Sequence, residues 1–106
     1  MDRARTLTRD EALDFVRRYK QVIRPRYQAE PKVIMYGSYA KGYANPDSDI
    51  DVAVIVPGAE VTNWWQQSAD LCGDVRKVSI LIEPVLIEDK EDSSLYRDVM
   101  RTGIAV

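Results

Sequence analysis

Two acids one residue apart, Asp49 and Asp51, stand at the head of an apolar run, Ile50 to Val56, that reads as a strand rich in β-branched residues. Side chains alternate between the faces of a strand, so these two carboxylates point the same way. Neighbouring like charges repel and raise one pKa unless a cation lies between them. The 106 residues hold no His and one Cys, so the cation is a hard one with oxygen ligands, Mg²⁺ first and Mn²⁺ second. Two plainer readings stand beside this one: solvated acids where a strand begins, or turn chemistry over Asp47 to Asp49 after Pro46.

A second constellation, Gly37-Ser38, follows another short apolar run, Val33 to Tyr36. The residues SYAKG suffice for a single helical turn whose free N–H groups face the strand end, which suits a phosphate. Gly37 lets the backbone come close, Ser38 donates from hydroxyl and amide, and Lys41 adds a mobile positive charge. Taken alone, Gly37-Ser38 is an ordinary strand-to-loop turn. Facing a pair of carboxylates, it describes a site for a nucleoside triphosphate.

Gly37, Ser38, Gly42, Asp49 and Asp51 at this spacing would occur in a random chain of this length roughly once in ten thousand, from average residue usage. The segment GSYAKGYANPDSDIDVAV resembles the signature of the polymerase-beta-type nucleotidyltransferases: a Gly-Ser, a further Gly, then Asp-x-Asp opening a strand. Its SYAKG and SDID forms are most similar to the minimal nucleotidyltransferases of prokaryotes, which are paired in operons with HEPN-domain proteins. The Lys-Ser/Thr ending of a P-loop and the GxGxxG of a dinucleotide site are both missing.

The resemblance implies an α+β fold, a small mixed sheet of three to four strands with helices packed on one side. It implies transfer of AMP from ATP to a hydroxyl, with two Mg²⁺ ions held by Asp49, Asp51 and a third carboxylate on the adjacent strand. In SILIEPVLI, Ser79 to Ile87, Glu83 is the only candidate, and it also stands to take the proton of the acceptor hydroxyl. An isolated acid in such a run is otherwise expensive to bury, although one at a strand edge faces water. Pro84 points to an edge strand or a bulge. Gly37, Ser38 and Lys41 are expected to hold the β and γ phosphates. The implied acceptor is a tyrosine of a HEPN RNase toxin, which makes the chain an antitoxin. Two other functions remain open: a weak or inactive module that neutralises its partner by binding, and an aminoglycoside-type transferase, which usually carries a further helical domain.

One domain, residues 1–106, with one core is what this length accommodates, and a templated polymerase does not fit. Fifteen basic residues against 17 acidic ones give a net charge of −2, so nucleic acid is not expected as a direct partner. Cys72 alone excludes an internal disulfide, and its apolar neighbours suggest a packed thiol. No apolar run reaches membrane length, and MDRARTLTRD lacks a signal-peptide core, so a soluble cytoplasmic protein is expected.

The elements that must position these groups read as follows. Thr8 and Glu11 have capping-box spacing ahead of a helix from about Arg9 to Arg24, ended by Pro25. Its late basic residues Arg17, Arg18, Lys20, Arg24 and Arg26 suit the helix dipole, or else meet an acidic partner or a nucleotide tail. Asn45-Pro46 turns the chain back, so the two central strands run antiparallel and adjacent. A second helix is predicted over about Glu60 to Lys77, with one of Trp64 and Trp65 in the core and the other an exposed anchor. A last helix spans Asp92 to Thr102, capped by Ser93 or Ser94 and stopped by Gly103, before a short tail strand or frayed end. The EDKED cluster, Glu88 to Asp92, is a solvated loop or faces a basic partner.

Overall fold

The computed structural model describes residues 5–106; residues 1–4, which begin the stretch judged above for its missing apolar core, lie outside them. Helix α1, Arg9–Ile23, starts where the sequence places it. Thr8 accepts from the Glu11 N–H at 3.0 Å, and Glu11 accepts from the Thr8 N–H at 2.9 Å, which satisfies donors that the first turn leaves unpaired. Its buried stripe is Ala12, Leu13, Val16, Tyr19 and Ile23, and a 3₁₀ turn around Pro25 ends it.

Strands β1, Lys32–Tyr36, and β2, Ile50–Val56, pair antiparallel as the turn residues require. Between them lies a single turn of helix, α2, Ser38–Lys41. Helix α3, Trp64–Asp74, is shorter than predicted, with separate 3₁₀ turns before and after it. Asn63 sets its start by accepting from the Gln66 N–H at 3.1 Å. Strand β3, Ile82–Glu88, starts later than its apolar run because Ser79 to Leu81 form a turn, held by the Leu81 N–H on Ser79 Oγ at 3.2 Å. Helix α4, Ser94–Thr102, is capped by Ser93, and β4, Ile104–Ala105, is a short strand.

The sheet order is β3-β2-β1-β4, with β2 and β3 parallel and the other pairs antiparallel. Alternation along β1 and β2 divides the apolar residues between two faces. Val33, Met35, Ile50, Val52, Val54 and Val56 pack under α1 and α3, as expected for helices on one side. Ile34, Ala53, Ile55 and Ile87 face the opposite way and are covered by Val99 of α4. That short helix is the exception to the one-sided arrangement, and it leaves the end of its face open.

Two expectations fail in α3. Cys72 is exposed, because the helix turns Leu71 into the core and carries the next residue about 100° round to solvent. Neither tryptophan is core: Trp65 is 81% exposed, while Trp64 lies along the sheet rim and donates its indole N–H to the Leu86 carbonyl at 3.0 Å. The two rings meet edge to face.

The ends of α1 and α3 are clamped by Asp74, a buried acid. Arg26 grips it through Nε at 2.6 Å and Nη2 at 3.0 Å. That pair holds the Asp74 carboxyl below the usual carboxylate range, outweighing the opposing effect of burial. Tyr19 donates to the Leu71 carbonyl at 2.8 Å close by. Among the described residues no helix is long and apolar enough to cross a membrane.

Candidate active site

The sheet register aligns Tyr36 of β1 with Asp51 of β2, and Asp51 with Glu83 of β3. Paired residues on adjacent strands point to the same face, so the three form a row across the sheet. It lies on the face that α1 and α3 leave open. Asp49, two residues before Asp51, joins it where the Ile50 N–H donates to the Leu81 carbonyl at 2.7 Å and ties the starts of β2 and β3 together.

Like charges crowd this corner. Partial burial and then the Asp49 carboxylate push the Asp51 pKa up. The Glu83 pKa rises first through a hydrogen bond shared with Asp49, then through desolvation and the charges of Asp49 and Asp51. Glu83 is nevertheless exposed, so it is both a strand-edge acid facing water and a member of the cluster. Tyr36 is pushed up to about 12, by burial first and then by Asp51, Glu83 and Asp98.

These oxygen donors fit a hard divalent cation by type and by their crowding without a compensating base. Among the described residues no group of three acid, His or Cys side chains is disposed to hold a metal ion as it stands.

Gly37 occupies φ 77°, ψ −151°, a region essentially reserved for glycine. A Cβ there would overlap Asp51 Oδ2 and stand 3.2 Å from its Cγ. The turn thus approaches the acid as closely as the missing side chain allows. Ser38 opens α2 beside it, and Gly42 closes α2 in the left-handed region at φ 88°.

Lys41 is not aimed at the acids. Its ammonium lies 3.5 Å from Asp98 Oδ2 on α4, which joins α2 to the C-terminal helix. Arg9, which sequence reasoning passed over, holds the same turn from the other side. Its Nε donates to the Tyr39 carbonyl at 3.2 Å and its Nη2 to the Ala40 carbonyl at 3.1 Å. A cavity of about 180 Å³ lies there, lined by Thr6, Leu7, Arg9, Ser38, Tyr39, Gly42 and Ala44. No local pattern marks Arg9, Tyr36 or Asp98. The register that brings Tyr36 to Asp51 is tertiary.

The basic residues of α1 and of the 3₁₀ turn after it mostly serve the fold. Arg26 grips Asp74, Lys20 donates to the Val106 carbonyl at 2.8 Å, Arg24 donates to the Tyr27 carbonyl at 2.9 Å, and Arg18 lies 3.3 Å from Asp14. A cleft of about 430 Å³ lined by Arg17, Lys20, Gln21, Arg24, Pro25 and Glu30 includes none of the three acids of the site.

Comparison with known proteins gives three findings. The family described as "Nucleotidyltransferase domain" matches residues 16–106. A Methanocaldococcus jannaschii protein named "Putative protein adenylyltransferase MJ0141" is 26% identical over 98 residues, spanning 91% of this chain and 99% of that protein. A Sulfolobus solfataricus crystal structure titled as a "putative nucleotidyltransferase" matches the fold with a TM-score of 0.54 at 16% identity, covering 89% of this chain and 84% of that one.

Proposed function

The chain belongs to the nucleotidyltransferase domain family, and from that premise we propose that it moves AMP from ATP to a tyrosine hydroxyl of a HEPN RNase toxin and so acts as its antitoxin. The observation that carries the reading is the row of Asp51 and Glu83 beside Asp49, with Asp51 and Glu83 raised in pKa by burial and by the neighbouring carboxylates, under a glycine turn that closely approaches Asp51. Acids kept together at the expense of their own repulsion are a common mark of a functional site. The name of the archaeal relative supports a protein as the acceptor, and the likeness to minimal nucleotidyltransferases supports a HEPN partner.

In this reading Asp49, Asp51 and Glu83 would hold Mg²⁺, or Mn²⁺ in its place. Such ions, when bound, neutralise charge on the triphosphate and lower the pKa of the attacking hydroxyl. The remaining steps belong to the chain's own residues. Gly37 and Ser38 hold the phosphate tail so that the α-phosphorus faces the acids. The acceptor oxygen forms a bond to that phosphorus, the bond to the β-phosphate oxygen breaks, and pyrophosphate leaves. Glu83, exposed and raised in pKa, takes the acceptor's proton.

Incubation with α-labelled ATP, Mg²⁺ and a purified HEPN-domain RNase tests the proposal. The label is expected on the RNase, and mass analysis should find an added AMP on a tyrosine. An unlabelled RNase that the chain still inhibits would replace transfer with neutralisation by contact, a reading favoured by the exposed Trp65.

A further inference from the structure

We infer that an apolar rim at the catalytic end of the sheet, centred on Ile80 and Leu81, docks the acceptor protein; this rests on the proposed transfer to a protein tyrosine. Topology puts the rim there. β1 ends, and β2 and β3 begin, at one end of the sheet, where Tyr36, Asp49, Asp51 and Glu83 gather. Ile80 and Leu81 belong to the turn that enters β3 at that end. The Leu81 carbonyl accepts the N–H of Ile50, the residue between the two aspartates.

The side chains of this turn are not core. Ile80 is 80% exposed and Leu81 37% exposed. The turn itself is held firmly, by the Leu81 N–H on Ser79 Oγ and by the Ile82 N–H on the Ser79 carbonyl, both at 3.2 Å. Its exposure is therefore a presented shape. Tyr43, 63% exposed, follows the α2 turn at this same end of the sheet. Trp64 and Trp65 lie at the other end, beside Leu86.

The position decides the occupant. A tyrosine carried on a protein reaches the acids only if the surface around it covers this rim, so the rim's chemistry selects that surface. An apolar patch surrounding the target tyrosine is the complement, since interface cores are depleted of charge and enriched in large side chains. ATP has no comparable need of Ile80, whose side chain is largely in solvent.

Ile80→Asp tests this with little risk to the fold, because the side chain is mostly in solvent. With α-labelled ATP and the purified HEPN-domain RNase, the variant should raise the KM for the RNase about tenfold or more and leave kcat within about twofold. Its ATP affinity by calorimetry should be unchanged, and Ile80→Leu should behave as wild type. Wild-type transfer kinetics in Ile80→Asp would overturn the rim. A parallel loss of ATP affinity would overturn it too, by assigning the turn to the nucleotide, and so would a change in oligomeric state, by assigning it to a second copy. Absence of any label on the RNase with the wild-type chain would sink the proposed function itself.

Discussion

Asp74 and the corner of Asp49, Asp51 and Glu83 place acids in the same small protein under opposite electrostatic conditions. Asp74 is almost fully buried, yet its pKa is lowered, because Arg26 meets both of its oxygens. Asp51 and Glu83 are more open to water, yet their pKa values are raised, Asp51 by partial burial and then by Asp49, Glu83 by its hydrogen bond with Asp49 and then by desolvation, with no cation among the described residues beside either to offset it. A charge that serves the fold is compensated inside the fold. Under the proposed function, a charge that serves a ligand is left for the ligand to compensate.

The largest effect that could break this contrast is on chemistry. Asp49→Asn with Asp51→Asn should reduce AMP transfer by about 10³-fold or more while the circular dichroism stays native, as expected where catalysis rests on electrostatic positioning. Full activity in the double variant would remove the corner from function. Asp74→Ala should act in the reverse sense, with transfer per folded molecule retained and stability in urea lowered. The loss should be about 2–3 kcal/mol, below the ~3–5 kcal/mol for breaking a fully buried pair, because Arg26 is partly exposed and screened.

The pH dependence sharpens the same comparison. Asp74 has a depressed folded pKa, so its stabilisation is present above the ordinary value of 3.8 and is lost as pH falls through the folded value. Asp51 has a raised folded pKa, so its contribution is present below 3.8 and is lost as pH rises through the folded value. Asp51→Asn should therefore melt higher than wild type at pH 7, by about 2 °C for a domain this small, and the gain should disappear at acid pH. Mg²⁺ should raise the melting temperature of wild type and leave that of the double variant alone. The smallest effect belongs to Cys72→Ser: with the thiol exposed, stability should stay within about 0.5 kcal/mol, and a larger loss would show that the thiol is packed after all.

Much of the fold was legible because its signals are local. The Thr8–Glu11 box, the β-branched run from Ile50 to Val56 and the Ser93 cap act within a few residues, and each appears where the sequence puts it. The antiparallel return through Asn45-Pro46 is local too. In the candidate site, Gly37 and Ser38 follow directly from the order of strand and turn. Lys41 was harder to read, since a long flexible side chain goes to its best partner, and Asp98 comes from a helix nearly sixty residues away. Trp64, Trp65 and Cys72 were misread for a related reason. Composition says that they are apolar, whereas the rotation of α3 decides which of its residues meet the sheet.

Pro84 sits on β3, one of the two edge strands, in register with Val52. An outer strand otherwise offers a row of backbone groups to any incoming chain, and proline withholds one amide proton from that row. The strand bearing Glu83 is thereby a poor template for stacking copies of the protein edge to edge. Pro84→Val would restore the missing donor and leave Ile82 to Glu88 as an uninterrupted ribbon, inviting fibre-like polymerisation at high concentration.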